Sequence, residues 1–236
     1  RFGVEQAGWV VEWAFDQLYG WHNWAWANRR LSPLGLIAPG SSPLTAPDPT
    51  NWGADTMQGA RWETGMDNSP MYDGPDSRSD NTSGPITFNT EVHLMQLWDV
   101  GMTANLASDM LALADVGDAW CAAPPTTPHV SPCTEGTTAR IATLRQRAGM
   151  LANLTQDHLW SETDAAYVNK MPAAAYNLTA DTFYRRVAPT SFYPLMTGVP
   201  TPRQADRTVS AHLLNPTAFC VTPVDAWPPP TPVPTA

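Results

Sequence analysis

"TEVHLMQLWDVGMTANLASDMLALADVGD", residues 90–118, decides the fold class. Leu94, Leu97, Trp98, Met102, Leu106, Met110 and Leu113 recur at steps of three and four. That is the apolar stripe of a helix that buries one face. Gly117 stands where a C-terminal cap is expected. Outward from this stretch the same period returns. In residues 4–30, Val10, Trp13, Ala14, Leu18 and Trp21 share a face, Gly20 marks an expected kink or join, and Arg29 and Arg30 suit the dipole at a helix C-terminus. Residues 136–159 repeat the pattern through Ile141, Leu144, Ala148, Leu151, Leu154 and His158. Residues 201–214 read as a short helix with Pro202 in its first turn. No alternating strand pattern, βαβ rhythm or internal repeat is visible. The expectation is an all-α architecture whose loops carry the function.

The loops are long. Pro, Gly, Ser, Asp and Asn dominate residues 31–88. A structureless stretch of that length inside a compact protein is uncommon and usually functional. Residues 119–135 form a Pro/Thr loop, and 160–200 are mixed and loop-like. The closing "VTPVDAWPPPTPVPTA" favours extended polyproline geometry and reads as a tail or linker.

Composition narrows the function. Of 236 residues 43% are hydrophobic and 15% charged, and the net charge is −9. A chain this acidic has no electrostatic footprint for nucleic acid or anionic lipid and suits an uncharged substrate. No apolar run is long enough for a membrane span. The opening "RFGVEQAGWV" lacks the pattern of a signal peptide. It also lacks an initiator Met, so the chain is read as mature or shortened at its front. Eleven tryptophans are present, five of them between Trp9 and Trp26. They read mainly as helix core, with sugar-stacking platforms as the sharper alternative.

Cys121 and Cys133 flank the Pro-rich loop and would pair in an oxidising compartment. Three cysteines without metal-type spacing are nonetheless read as free thiols, with Cys220 the third. Sequons at Asn81, Asn153 and Asn177 point weakly to the secretory pathway. The five histidines show no metal-ligand spacing, and neither a phosphate loop nor a serine nucleophile elbow occurs. No metal or cofactor is expected.

"RWETGMDNSPMYDGP", residues 61–75, is the chemically dense segment. Gly65 frees the backbone to turn, and Pro70 holds Ser69 extended. Asp67 then sits beside Met66 and near Trp62, where lost solvation should raise its pKa. A raised carboxyl stays protonated near neutral pH and serves as a general acid. Glu63 and Asn68 are placed to hydrogen-bond a hydroxylated ligand. On spacing alone, an Asx turn with structural hydrogen bonds explains the segment as well.

"ARWETGMDNSPMYD", residues 60–73, resembles the acid loop of glycoside hydrolase family 63 and its mannosylglycerate-hydrolase-like relatives. "WHNWAWANRRLSPLGLIAPGSSP", "LMQLWDVGMTANLASDMLALADVG" and "SFYPLMTGVPTPRQADRTVSAHLLNP" are similar to neighbouring segments of the same family, so the resemblance spans roughly residues 9–221. It implies a partial (α/α)6 toroid over residues 1–221 with a Pro-rich tail at 222–236. It implies hydrolysis of an α-glycosidic bond with inversion. Asp67 falls on the general acid. Trp62, Glu63 and Asn68 fall on sugar-pocket positions, and Asp99, more loosely, on a residue of the same cleft. Inversion requires a second carboxylate about 6.5–9.5 Å away to activate water. The family's base lies C-terminal to the matched region, so the resemblance implies a fragment that lacks it and is inactive alone. Glu91, Glu162 and Asp164 are the weaker stand-ins. The alternative is a pseudoenzyme that keeps part of a carbohydrate pocket.

Overall fold

The computed structural model describes residues 4–44, 53–66, 69–72, 85–124 and 131–218. Six α-helices dominate: α1 (Val4–Asn28), α2 (Met57–Glu63), α3 (Val100–Cys121), α4 (Glu135–His158), α5 (Ala173–Tyr176) and α6 (Pro202–Thr208). Eight two-residue strands pair as four antiparallel hairpins: β1 (Arg30–Leu31) with β2 (Leu36–Ile37), β3 (Phe88–Asn89) with β4 (Leu94–Met95), β5 (Trp160–Ser161) with β6 (Ala166–Tyr167), and β7 (Lys170–Met171) with β8 (Thr182–Phe183). The architecture is mostly α, as expected of part of a helical toroid. A long helix feeds directly into a short hairpin twice, at α1–β1–β2 and at α4–β5–β6.

α3 and α4 form where their apolar stripes lie, but on α1 the expected stripe is the wrong face: Val10, Trp13, Leu18 and Trp21 are exposed, as are Trp9 and Trp24, while Phe15 and Ala25 face the core. α3 and α4 pack as a hairpin, and α1 lies against α3. Their shared core is built from Phe15, Leu106, Met110, Leu113, Trp120, Ile141, Leu144 and Leu151. Arginines of α4 tie the bundle from outside: Arg140 to Asp16, Arg147 to Asn23, and Arg145 to Asp115 and Asp118. Thr134 caps α4 by accepting from the Thr137 amide at 3.1 Å. Thr201 and Gln204 form a capping box on α6. A second core joins the hairpins to α3 through Leu36, Leu94, Trp98, Leu159 and Tyr167.

Several expectations need correction. Residues 90–99 are not helical: β4 ends at Met95 and α3 starts at Val100, with Asp99 as its N-cap. Leu94, Leu97 and Trp98 fit the helical period by coincidence, and all three are buried. Gly117 lies inside α3, facing Ile141 and Phe15, and Gly20 leaves α1 continuous. The stretch from 160 to 200, read as mixed and loop-like, holds two hairpins, α5 and a 3-10 helix at Pro189–Thr197, and the long loop read at 31–88 contains the β1–β2 hairpin and α2. Finally, Cys121 and Cys133 are joined as a disulfide with their Cα atoms 4.8 Å apart. α3 runs on to Cys121, and the chain returning to α4 brings Cys133 back beside it. Cys220 and the tail lie outside the described residues.

Leu144 is fully buried where α4 meets α3. Leu144→Ala is expected to cost about 2–5 kcal/mol of unfolding free energy, measured by urea denaturation. A loss below about 0.5 kcal/mol would contradict this packing.

Candidate active site

α2 is one short amphiphilic element, and its C-terminal end brings the site together. Thr56 caps it by accepting from the Gly59 amide at 3.0 Å. After Glu63 the chain leaves the helix through Thr64 and Gly65, the latter at φ +69°, a left-handed conformation that glycine adopts without cost. Pro70–Tyr72 then forms a single 3-10 turn. Asp67 and Asn68, the expected acid and its neighbour, lie outside the described residues, as does Asn81. Their flanks are well tied. The Ser69 amide donates to the Met66 carbonyl at 2.9 Å, and Arg61 Nη2 donates to the Ser69 carbonyl at 3.3 Å.

Glu63 is the most exposed charged member of this group and the most tightly addressed. Arg29 Nε lies 2.8 Å from both of its carboxylate oxygens, and the Gly40 amide donates to Oε2 at 2.7 Å. Arg29 is buried, and its guanidinium stacks on the Trp24 ring at 4.4 Å. Together Glu63, Arg29, Trp21 and Trp24 line a cavity of about 150 Å³ with Ile37, Met102 and Leu106. That is smaller than the roughly 300–1,000 Å³ of a drug-sized ligand site. Trp62 is 40% exposed. Its ring lies over Gly53, where a Cβ would sit 2.0 Å from the indole. Only glycine permits that approach.

Asp99 is placed differently. It is 1% exposed and does not line the Glu63 cavity. Its Oδ1 accepts from the Met102 amide at 2.8 Å, and its Oδ2 accepts from Tyr72 Oη at 3.0 Å and from Asn169 Nδ2 at 3.1 Å. The Val100 amide donates to Asn169 Oδ1 at 2.8 Å, which fixes the orientation of that side-chain amide. Burial pushes the Asp99 carboxyl above its ordinary range, and the donated hydrogen bonds, chiefly from Met102, Tyr72 and Asn169, pull it back. Burial and the adjacent Asp99 carboxylate both push the Tyr72 phenol well above its ordinary value.

The model of the mannosylglycerate hydrolase MGH1-like glycoside hydrolase domain matches residues 2–235. The chain belongs to this glycoside hydrolase family. A search of curated proteins finds no match.

In this glycoside hydrolase domain the structure brings Glu63 and Trp62 together at the end of α2. Asp99 is a buried acceptor outside the Glu63 cavity, and Trp62 is not among that cavity's walls either. Sequence reasoning missed three participants. Arg29 read as a helix-terminal cation, yet it is the partner of Glu63. Tyr72 lay in the quoted motif without a role. Asn169 carried no signal at all, since it acts from a hairpin far along the chain. Among the described residues no group of three or more His, Cys, Asp or Glu could hold a metal ion, and no helix is long and apolar enough to cross a membrane.

Two outcomes follow. Glu63→Gln takes the counter-charge from a buried guanidinium and is expected to lower stability by roughly 1.5–3 kcal/mol; an unchanged urea midpoint would contradict the ion pair. For Asp99, folded and unfolded chains both carry the proton at low pH, and neither does above the raised value. Between those limits the folded chain keeps a proton that the unfolded chain has lost, so stability falls as pH rises through the window. Asp99→Asn should flatten that fall in a pH series of unfolding free energies, and an unaltered slope would assign the titration elsewhere.

Proposed function

We propose that the domain belongs to an α-glycosidase acting with inversion on an α-glucoside, an α-mannoside or a mannosyl- or glucosylglycerate. The observation that carries this is the carboxylate of Glu63, fixed by Arg29 and the Gly40 amide at a cavity walled by Trp21 and Trp24. A pyranose presents hydroxyls at its rim and C–H faces above and below. A fixed acceptor beside aromatic faces matches both, with stacking adding to the hydrogen bonds. Glu63 and Trp62, with Asn68, are the proposed sugar contacts.

Asp67 is the proposed general acid. It donates its proton to the departing glycosidic oxygen as the anomeric carbon gains positive charge, and a water adds from the opposite face. That water needs a base. Glu91 is exposed on the turn of the β3–β4 hairpin. Glu162 is held by Arg207 and by Trp160 Nε1, whose hydrogen bonds keep its carboxyl below the usual range. Asp164 is engaged by Ser161 and lies 3.6 Å from Arg185. Partners occupy Glu162 and Asp164, Glu91 stands exposed on its turn, and the proposal assigns the role to none of the three.

A second reading keeps the pocket without turnover. It is favoured by the same fact, a formed Trp–carboxylate cavity with no base assigned among these carboxylates. One experiment separates the two. The complete reading frame is assayed against a panel of α-glycosides, with the first-formed anomer read by proton NMR and sugar binding measured by calorimetry. Hydrolysis giving the β-anomer first is expected, and Asp67→Asn should lower kcat roughly 10²–10⁴-fold with the melting temperature unchanged. Binding without hydrolysis selects the second reading. An α-anomer released first, or full activity in Asp67→Asn, overturns the mechanism.

A further inference from the structure

We infer that Asp99, Tyr72 and Asn169 form a positioning clamp that sets the end of α2 relative to α3, and through it the geometry of the sugar site. The inference rests on the function proposed above, but its structural half can be tested without it.

The clamp joins three elements distant in sequence. Asp99 is the residue before α3 and caps its first turn through the Met102 amide. Asn169 precedes β7, and its backbone is held on both sides: the Tyr184 amide donates to its carbonyl at 2.8 Å, and the neighbouring Lys170 and Trp98 exchange hydrogen bonds at 2.9 and 3.1 Å. Tyr72 closes the 3-10 turn that follows the site segment. All three side chains are at least 98% buried, so no solvent competes for the bonds between them.

The polarity of the clamp is fixed. The Val100 amide claims Asn169 Oδ1, so Asn169 must offer N–H to Asp99. Tyr72 offers O–H to the same oxygen. Only an acceptor satisfies both, and the other oxygen must accept from the Met102 amide, so the site calls for the two acceptors of a carboxylate where a side-chain amide offers one. The hold then passes along α2. The Arg61 guanidinium lies 5.6 Å from the centre of the Tyr72 ring, and Arg61 Nη2 reaches the Ser69 carbonyl. Arg61 is fully buried and is next but one to Glu63 on α2. A shift of Tyr72 therefore moves the helix end that presents Trp62 and Glu63. It also moves the flank at Ser69.

Tyr72→Phe is the decisive variant, because it deletes one hydroxyl and keeps the ring under Arg61. Tyr167→Phe is its control, since it deletes a buried hydroxyl that serves Gln156 of α4 at 2.7 Å and Gln204 of α6 at 3.4 Å, with no bond to α2. In the complete protein, Tyr72→Phe is expected to lower kcat roughly 10- to 100-fold, the scale of a small misplacement of reacting groups, with KM changed less than about threefold. Tyr167→Phe should leave kcat within about twofold of the parent at a comparable melting temperature. Amide hydrogen exchange provides a readout independent of activity. Tyr72→Phe should speed exchange in peptides covering 57–72 and leave α4 unchanged. Equal kcat losses in the two variants, or unchanged exchange across 57–72, overturn the clamp. If the parent protein hydrolyses no glycoside, the proposed function fails while the exchange result still decides the clamp.

Discussion

The organisation of this domain depends on a carboxylate removed from water. Taking Asp99 into the interior is costly unless every lone pair is used. The fold meets that cost by aiming three donors at it, from the first turn of α3, from the Pro70–Tyr72 turn and from the segment before β7. Each donor belongs to a different part of the chain, so none can drift without leaving a buried acceptor short of a partner. The result is a rigid junction at the point where the long helices meet the loops.

The helical scaffold and the site obey different constraints. α1, α3 and α4 are held by apolar packing, which tolerates small adjustments of volume and position. The site is held by hydrogen bonds and ion pairs of defined direction: Arg29 to Glu63, the Gly40 amide to Glu63, Tyr72 to Asp99. Two tryptophans of α1 serve both purposes. Trp21 and Trp24 spring from the packed helix yet stay partly exposed at the Glu63 cavity. Glycosidase chemistry needs this combination, since binding energy is useful to catalysis only if the sugar is held in one pose.

Much of the scaffold was legible from the sequence, because periodic burial leaves a periodic trace. α1 and α4 begin and end within about two residues of the expected limits, and the helix expected at 201–214 is α6 followed by a π-helical turn at Val209–Leu213. The start of α3 was not. Leu94, Leu97 and Trp98 fit a helical spacing as well as a buried hairpin, and only the cap at Asp99 separates them. The GMDNSP string pointed to the family, while the partners of Glu63 and Asp99 stayed hidden. Arg29 meets Glu63 across 34 positions and Asn169 meets Asp99 across 70. Local patterns carry no record of such pairings. The Cys121–Cys133 bond was missed for a related reason: an odd cysteine count argued against a pair that the turn between two helices brings together.

The most direct measurement is a double-mutant cycle on unfolding free energy that combines Tyr72→Phe with Asp99→Asn. If the buried carboxylate is the junction described, the two substitutions act on the same bond, and the cycle should return a coupling of roughly 1–3 kcal/mol. Additive losses, with a coupling within about 0.3 kcal/mol of zero, would mean that Tyr72 and Asp99 act independently and that something else holds the site in place.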